Sequence, residues 1–582
     1  MRRRCEAVNP SARHLQAAAQ EQYQPKRSMS LTPFNQQRSS ASAATSSRFG
    51  LFAASDFVIS TGSNGRAYNA AVIEQALWYF RDEVIALPRA GLPVAGFTAG
   101  ITAQDDAARW ARSHPMGAPI DYPPLIWVAA PDVVRGARLS SDGGGVTIGG
   151  SDFAFTVVPK IPLNRSYYND ASVAFLAQRP LSLRGYLDGN RFTARTIWPE
   201  DFRLDPAVPV RSIAATPLAL RSLVREQPRG GAQSPFTAVT LWERDPGARD
   251  WRDKPVLGVL LNGAQGDDDE AHGGHFALLT GRVGPDGATG DWVANNFYTL
   301  DSFSEKGIIA AMLPLDNYLA DLNSGQAWYR PSYVLVAVLR HVRAAAHIQG
   351  ALARVYNQFY RRQFVYRHGS MNCASISVDL LRALGWNVAA RGPTSRTLAA
   401  LSVPYFALRE RSADKAAQIY DYFAEDRTRL FPAAAFEEIG ADLLRLATRA
   451  KREGSTPFEA ALAEDLEAVV FMRIPQLPSS RAWGDYPVVT TWEYHQRLPS
   501  DPAKRQVVPV PPRPFPERLR DPDLLPPARV RGEVALTLWA LLTVVGIPWL
   551  IWRWWRKRAD QPIAAEEADM AEAGSQRGVH PK

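Results

Sequence analysis

His368-Gly369-Ser370-Met371-Asn372-Cys373-Ala374-Ser375-Ile376-Ser377-Val378-Asp379-Leu380-Leu381-Arg382-Ala383-Leu384-Gly385-Trp386 is the stretch on which the fold turns. Asn372 or Ser370 is a good N-cap and Gly385 a good stop, so the segment between them reads as a helix. Ile376, Leu380 and Leu384 form its apolar stripe, with Ser375, Asp379 and Arg382 largely opposite. Cys373 then falls in the first turn, beside unpaired backbone amides and the positive end of the helix dipole. Both stabilise a thiolate, and the same amides could stabilise an oxyanion. A buried structural cysteine is the bland alternative.

A thiol nucleophile needs a base. Upstream, Ala271-His272-Gly273-Gly274-His275-Phe276-Ala277-Leu278-Leu279-Thr280-Gly281 reads as a glycine loop entering a strand that His275 opens. The pleat fixes the direction of His275, whereas His272 sits ahead of two glycines, so His275 is the favoured base. His272 and His368 remain competitors. The next strand, Trp292-Val293-Ala294-Asn295-Asn296-Phe297, offers an amide to orient the imidazole. Alternation lets only one of Asn295 and Asn296 share the histidine's face, and Asn295 is favoured.

Taken in order, Gly274-His275, Val293-Ala294-Asn295, the Tyr-rich segment from Tyr356 to Tyr366, and Asn372-Cys373 running to Leu380-Leu381 resemble the circularly permuted papain-like thiol hydrolases and acyltransferases. The nearest likeness is to a bacterial, periplasmic branch of the NlpC-like superfamily, the Lnb N-terminal type. It covers about residues 235–390, and the order of the short motifs carries it. The resemblance implies an α+β fold with an antiparallel sheet plus helices as the catalytic core. It implies Cys373 as nucleophile, His275 as base and Asn295 as orienter, with no cofactor. Relatives often carry histidine at the third position, where this chain has asparagine. The implied chemistry is attack of the Cys373 thiolate on a carbonyl to form a thioester, with His275 moving the proton. The substrate class is a peptide or cell-wall peptide; acyl transfer on lipid, or an inactive membrane-anchored binding or scaffold protein, are the alternatives.

Asp267-Asp268-Asp269-Glu270 ahead of His272 and His275 is a rival divalent-metal site, but an acidic run among glycines reads better as a solvated turn. No metal is expected. With only Cys5 and Cys373 in 582 residues, no disulfide framework or multi-cysteine zinc site can form.

The net charge of +9 hints at nucleic acid until it is located. Residues 1–48 hold eight Lys/Arg against two acidic residues, so most of the excess lies in a tail and no specific nucleic-acid binding is expected. That tail, 1–48, reads as disordered. No apolar run that could serve as a signal-peptide core follows Met1-Arg2-Arg3-Arg4. Residues 49–234 read as strand-rich, with a helix over Val72–Ile85, strands at Leu125–Val128 and Phe153–Val158, and a hairpin of Leu181–Arg184 and Arg191–Arg195 around Asp188-Gly189. Residues 235–395 form the catalytic domain. Helices are expected to dominate from about 332 to 470, and 396–498 is a helical segment that could serve as a protein-partner surface. A Pro-rich linker occupies 499–530. Val534–Trp552 is a run of 19 residues without a charge, about 29 Å long as a helix, followed by Arg553, Arg556, Lys557 and Arg558. It reads as a single transmembrane helix within 531–558, ahead of a disordered tail at 559–582. The expected placement is single-pass in a membrane, with the side of the globular part open.

Overall fold

A computed structural model describes residues 101–117, 132–160, 167–247, 249–265, 272–299, 310–360, 364–448, 454–498 and 501, together with the backbone of four short strands at 58–60, 67–69, 75–80 and 83–88. The class is α+β. A five-stranded closed barrel is built from β1 (Asp132–Leu139), β2 (Gly145–Ile148), β3 (Ser151–Val157), β4 (Leu181–Asp188) and β5 (Arg191–Pro199), in the order β1-β2-β3-β5-β4. The hairpin expected at Asp188-Gly189 is β4–β5, with Gly189 at φ +57 in its turn. The strand expected at 125–128 lies outside the described residues.

The central element is a seven-stranded antiparallel sheet. Its strands are β6 (Thr237–Glu243), β7 (Pro255–Asn262), β8 (His275–Arg282), β9 (Val293–Asn295), β10 (Met312–Pro314), β11 (Ser332–Leu339) and β12 (Leu466–Ile474), in the order β6-β12-β11-β7-β8-β9-β10. The middle strands are continuous apolar runs, Val256–Leu261 and Tyr333–Leu339, buried along their whole length because helices cover the sheet. The helix Pro432–Ala447 presses onto β11 so closely that a Cβ at Gly440 would lie 2.7 Å from Leu335 and from Leu220. Two further helices bound the site, α1 (Arg343–Tyr360) and α2 (Cys373–Ala383).

Four expectations are corrected here. Residues 75–80 and 83–88 form a two-stranded hairpin where a helix was expected over Val72–Ile85. The sequences QALWYF and EVIALP are rich in aromatic and β-branched residues, which favour strands. Ser332–Leu339 and Leu466–Ile474, inside the stretch expected to be dominated by helices, are central strands. The helical segment 396–498 is therefore not a separate domain, since β12 lies between β6 and β11 and completes the sheet of residues 235–395. Finally, the expected fold class included a transmembrane helix. Among the described residues no helix is long and apolar enough to cross a membrane. The longest, α1, has 18 residues and carries Arg343 and Arg354, short of the roughly 20 apolar residues a span needs. The run 534–552 lies outside the described residues. The fold rests on the α+β core, and the single-pass membrane placement is withdrawn.

Clustering of contacts divides the chain into two compact units. The first contains the barrel, the sheet and its helices. The described part of the second is Ser395–Ala424, a hairpin of two helices, Arg396–Glu410 and Ala413–Ala424, with Leu398, Leu401, Tyr405 and Leu408 exposed along the first.

Candidate active site

The Cys373 helix starts where the sequence places it, and the start is heavily determined. Asn372 is the N-cap, in extended backbone; its Oδ1 accepts from the N–H groups of Ala374 and Ser375, each at 3.0 Å. Ser375 Oγ accepts from the Asn372 N–H at 2.7 Å, completing a capping box. Asn372 Nδ2 donates to the carbonyls of His368 and Leu430, both at 2.9 Å, so the cap also ties the helix to its surroundings. At the other end Gly385, at φ +95, closes the helix through Trp386 N–H to Leu381 O at 2.9 Å.

Cys373 is a free cysteine, 3% exposed. The Phe276 and Ala374 backbone amides, the Tyr366 hydroxyl and the buried Arg330 guanidinium are the polar groups that bear on its ionisation. These donors and that charge favour the thiolate, but burial outweighs them and pushes the thiol above its ordinary value near 9. The low thiol pKa that the helix start alone suggested is therefore not what the complete environment produces. Two of the helix amides are also occupied: Asn372 takes those of Ala374 and Ser375.

His275 opens β8, directly opposite Asn262 of β7. The preceding Gly274 sits at φ +76, and a Cβ there would meet the Asn262 carbonyl oxygen at 2.6 Å and Pro487 at 2.7 Å. Only glycine fits, so the loop is packed tightly up to the histidine. His275 Nε2–H donates to Asn296 Oδ1 at 2.6 Å, both side chains buried. That bond leaves Nδ1 as the ring nitrogen able to take a proton. Tyr298 and Tyr318 flank the imidazole, with ring centroids 6.3 and 6.4 Å away. The Tyr318 hydroxyl donates to Asn262 Oδ1 at 2.5 Å, and Asn262 Nδ2 donates to Ser332 Oγ at 2.8 Å, which fixes this wall.

Asn295 is not the orienter. The β8–β9 register pairs Leu278 with Asn295 and Leu279 with Ala294, so Asn295 shares a face with Phe276, Leu278 and Thr280. Asn296 falls on the opposite face, the one His275 occupies. Asn295 instead exchanges two hydrogen bonds of 3.1 Å with Gln349 of α1 and donates to Leu278 O at 3.2 Å.

His272 is buried, edge-on to Tyr494 with ring centroids 6.1 Å apart. His368 is exposed, with Tyr366 and Tyr298 at 5.1 and 6.1 Å. The acidic run 267–270 lies outside the described residues, and among the described residues no three His, Cys, Asp or Glu side chains cluster as a metal site.

The structure packs the helix that Cys373 begins against the strand that His275 begins. Asn296, the alternative the sequence offered to Asn295, takes the place beside His275, and the structure adds Tyr318 and Arg330, which the sequence did not single out. Tyr366 belonged to the Tyr-rich segment, which divides: α1 ends at Tyr360, and Tyr366 lies in the loop before α2. Compared with known proteins, the chain matches no family model, no curated protein and no solved structure.

Proposed function

We propose that this protein is a cysteine hydrolase of the papain-like kind, with Cys373 as nucleophile, His275 as base and Asn296 as the residue that orients the imidazole. The observation that supports the reading is a helix-capped, buried thiol on a helix packed against the strand that a histidine opens, with the Nε2 of that histidine held by a buried amide. That is the arrangement general-base activation of a thiol requires.

The chemistry runs through residues of this chain. His275 Nδ1 takes the Cys373 proton, and Asn296 Oδ1 accepts from the imidazolium and keeps the ring from turning. The sulfur bonds to the substrate carbonyl carbon. The C–N bond breaks, and the imidazolium returns the proton to the leaving amine. Water, deprotonated by the same nitrogen, then splits the thioester. The substrate class is an amide, in a peptide or cell-wall peptide. Because the thiol is held protonated by burial, proton transfer to His275 belongs to the reacting complex and not to the resting protein.

Incubation of the full chain with peptide and cell-wall peptide mixtures, read by mass spectrometry, tests the reading. New amide-cleavage products that vanish in Cys373→Ala and His275→Ala support it. Products that persist in both variants sink it. One observation favours a second reading, a non-catalytic binding protein: the sulfur is 3% exposed and its thiol pKa is raised. Tight peptide binding without cleavage in the parent protein would select that reading.

A further inference from the structure

The hairpin of helices Arg396–Glu410 and Ala413–Ala424 presents an apolar stripe to solvent. Its first helix is capped by Ser395, whose Oγ accepts from the Leu398 N–H at 3.1 Å, and it ends at Arg411, in the left-handed region at φ +48. The two helices pack on each other, with Ala399, Val403 and Ala416 among their buried positions. Leu398, Leu401, Tyr405 and Leu408 stay outside that seam, 49%, 61%, 57% and 79% exposed. Steps of three, four and three residues align them along one side of the helix. Tyr420 of the second helix is exposed as well, so five of the ten exposed large apolar side chains among the described residues fall in this one hairpin. Scattered exposed apolar side chains are ordinary, whereas a contiguous stripe marks a binding face.

The same chain carries a segment that needs apolar cover. Val534–Trp552, outside the described residues, is 19 residues without a charge. In water such side chains are driven against other apolar surface. We propose that the hairpin stripe is the docking face for this segment, so that residues 534–552 lie against Leu398, Leu401, Tyr405 and Leu408 of the same chain.

Connectivity favours this occupant. Thr394, the residue before the Ser395 cap, has its hydroxyl 3.3 Å from that of Thr491. The helix Thr491–Arg497 therefore starts at the base of the hairpin, and the chain runs on from there toward the apolar segment. Residues 499–533 can span several times the roughly 23 Å of the stripe-bearing helix, so the tether reaches without strain. A tether of this kind holds the segment at an effective concentration of millimolar order, which a free partner rarely matches. A second copy of the hairpin would cover the stripe but leave 534–552 bare, whereas docking within one chain removes both exposed surfaces together.

The test uses the full chain, dilute and free of detergent. The photo-crosslinker p-benzoylphenylalanine is placed at position 401 in a mixture of light and heavy-isotope chains, and the products are mapped by mass spectrometry. The expected links run to residues 534–552 and join light to light and heavy to heavy. Links between light and heavy chains would make a second copy the occupant, and links only to other segments would leave 534–552 out; either overturns the proposal. A second measurement follows chymotrypsin cleavage at Trp539, Trp549 and Trp552. The double variant Leu401→Glu, Leu408→Glu changes two exposed positions and should be cut there about tenfold faster than the parent, because the docked state no longer protects the segment. Equal rates overturn the proposal. So does protection that appears only when phosphatidylcholine vesicles are added, which would identify lipid as the cover, and so does a chain that stays in solution only with detergent.

Discussion

Asn295 and Asn296 are adjacent and chemically identical; Asn295 ends β9 and Asn296 follows it, so the two side chains fall on opposite faces. Sequence could show that only one of them shares the His275 face, but not which, because the answer depends on how residues 283–292 set the β8–β9 register. The two roles separate experimentally. Asn296→Ala removes a hydrogen bond to an imidazole that becomes charged in the reaction, and should lower kcat/KM by about 10- to 100-fold, with a stability cost of about 1–3 kcal/mol for the buried bond lost. Asn295→Ala strands Gln349 in the core, and should cost about 1–3 kcal/mol of stability in a denaturant titration while leaving kcat/KM near the parent value. The reverse pattern would show that the register has been misread. Cys373 carries the same lesson about context. Its helix position was legible, but burial decides its acidity, and burial is a tertiary property. Sulfur ionisation should also load the stability curve. The folded thiol pKa lies above its unfolded value, so this contribution is present below about pH 9 and is lost as the pH rises through the folded value.

At the scale of elements, the capped Cys373 helix, the β4–β5 hairpin and the His275 strand were readable, whereas two buried central strands were not. The Cys373 helix announces itself with Asn372 and Gly385. The β4–β5 hairpin announces itself with Asp188-Gly189. Ser332–Leu339 offers no alternation, since both faces are covered, and an apolar run of that kind cannot be told from a helix by period alone. Leu466–Ile474 escaped for the same reason. One helix contact has a pH signature. His347 of α1 stacks on Trp110 at 4.9 Å, and His114 stacks on the same indole at 5.1 Å. Burial, helped by His114, pushes His347 down to about 4. A depressed histidine contributes stability above its unfolded value of 6.5, and that contribution is lost as the pH falls toward 4. The thermal midpoint should therefore drop over that interval, and His347→Phe should flatten the drop; an equally steep fall in the variant would place the acid sensitivity elsewhere.

For the molecule as a whole, buried ion pairs join the barrel to the elements around the seven-stranded sheet. Arg184 of β4 donates through Nε to both Asp316 oxygens, at 2.7 and 2.8 Å, and through Nη2 to Asp291 at 2.7 Å, with all three side chains buried. Arg195 of β5 pairs with buried Asp321 at 2.6 Å. The helix carrying Asp316 also carries Tyr318, one wall of the His275 pocket, so barrel and site are mechanically linked. Arg184→Ala would leave two carboxylates buried without their cation and should cost about 3–5 kcal/mol by denaturant titration. A cost below about 1 kcal/mol would mean that the barrel is only loosely joined to the sheet. None of these long-range pairs was visible in the sequence, because they link residues more than a hundred positions apart.

The central claim, that Cys373 attacks with His275 as its base, is tested most directly by covalent capture. The full chain is treated near neutral pH with a peptide vinyl sulfone, an electrophile that needs an activated thiol, and digested for mass spectrometry. The account predicts one adduct, on Cys373, formed at the parent rate in His272→Ala and His368→Ala, at least about tenfold more slowly in Asn296→Ala, and not at all in His275→Ala. An adduct that forms as fast in His275→Ala as in the parent, or one that fails only in His272→Ala, would contradict it.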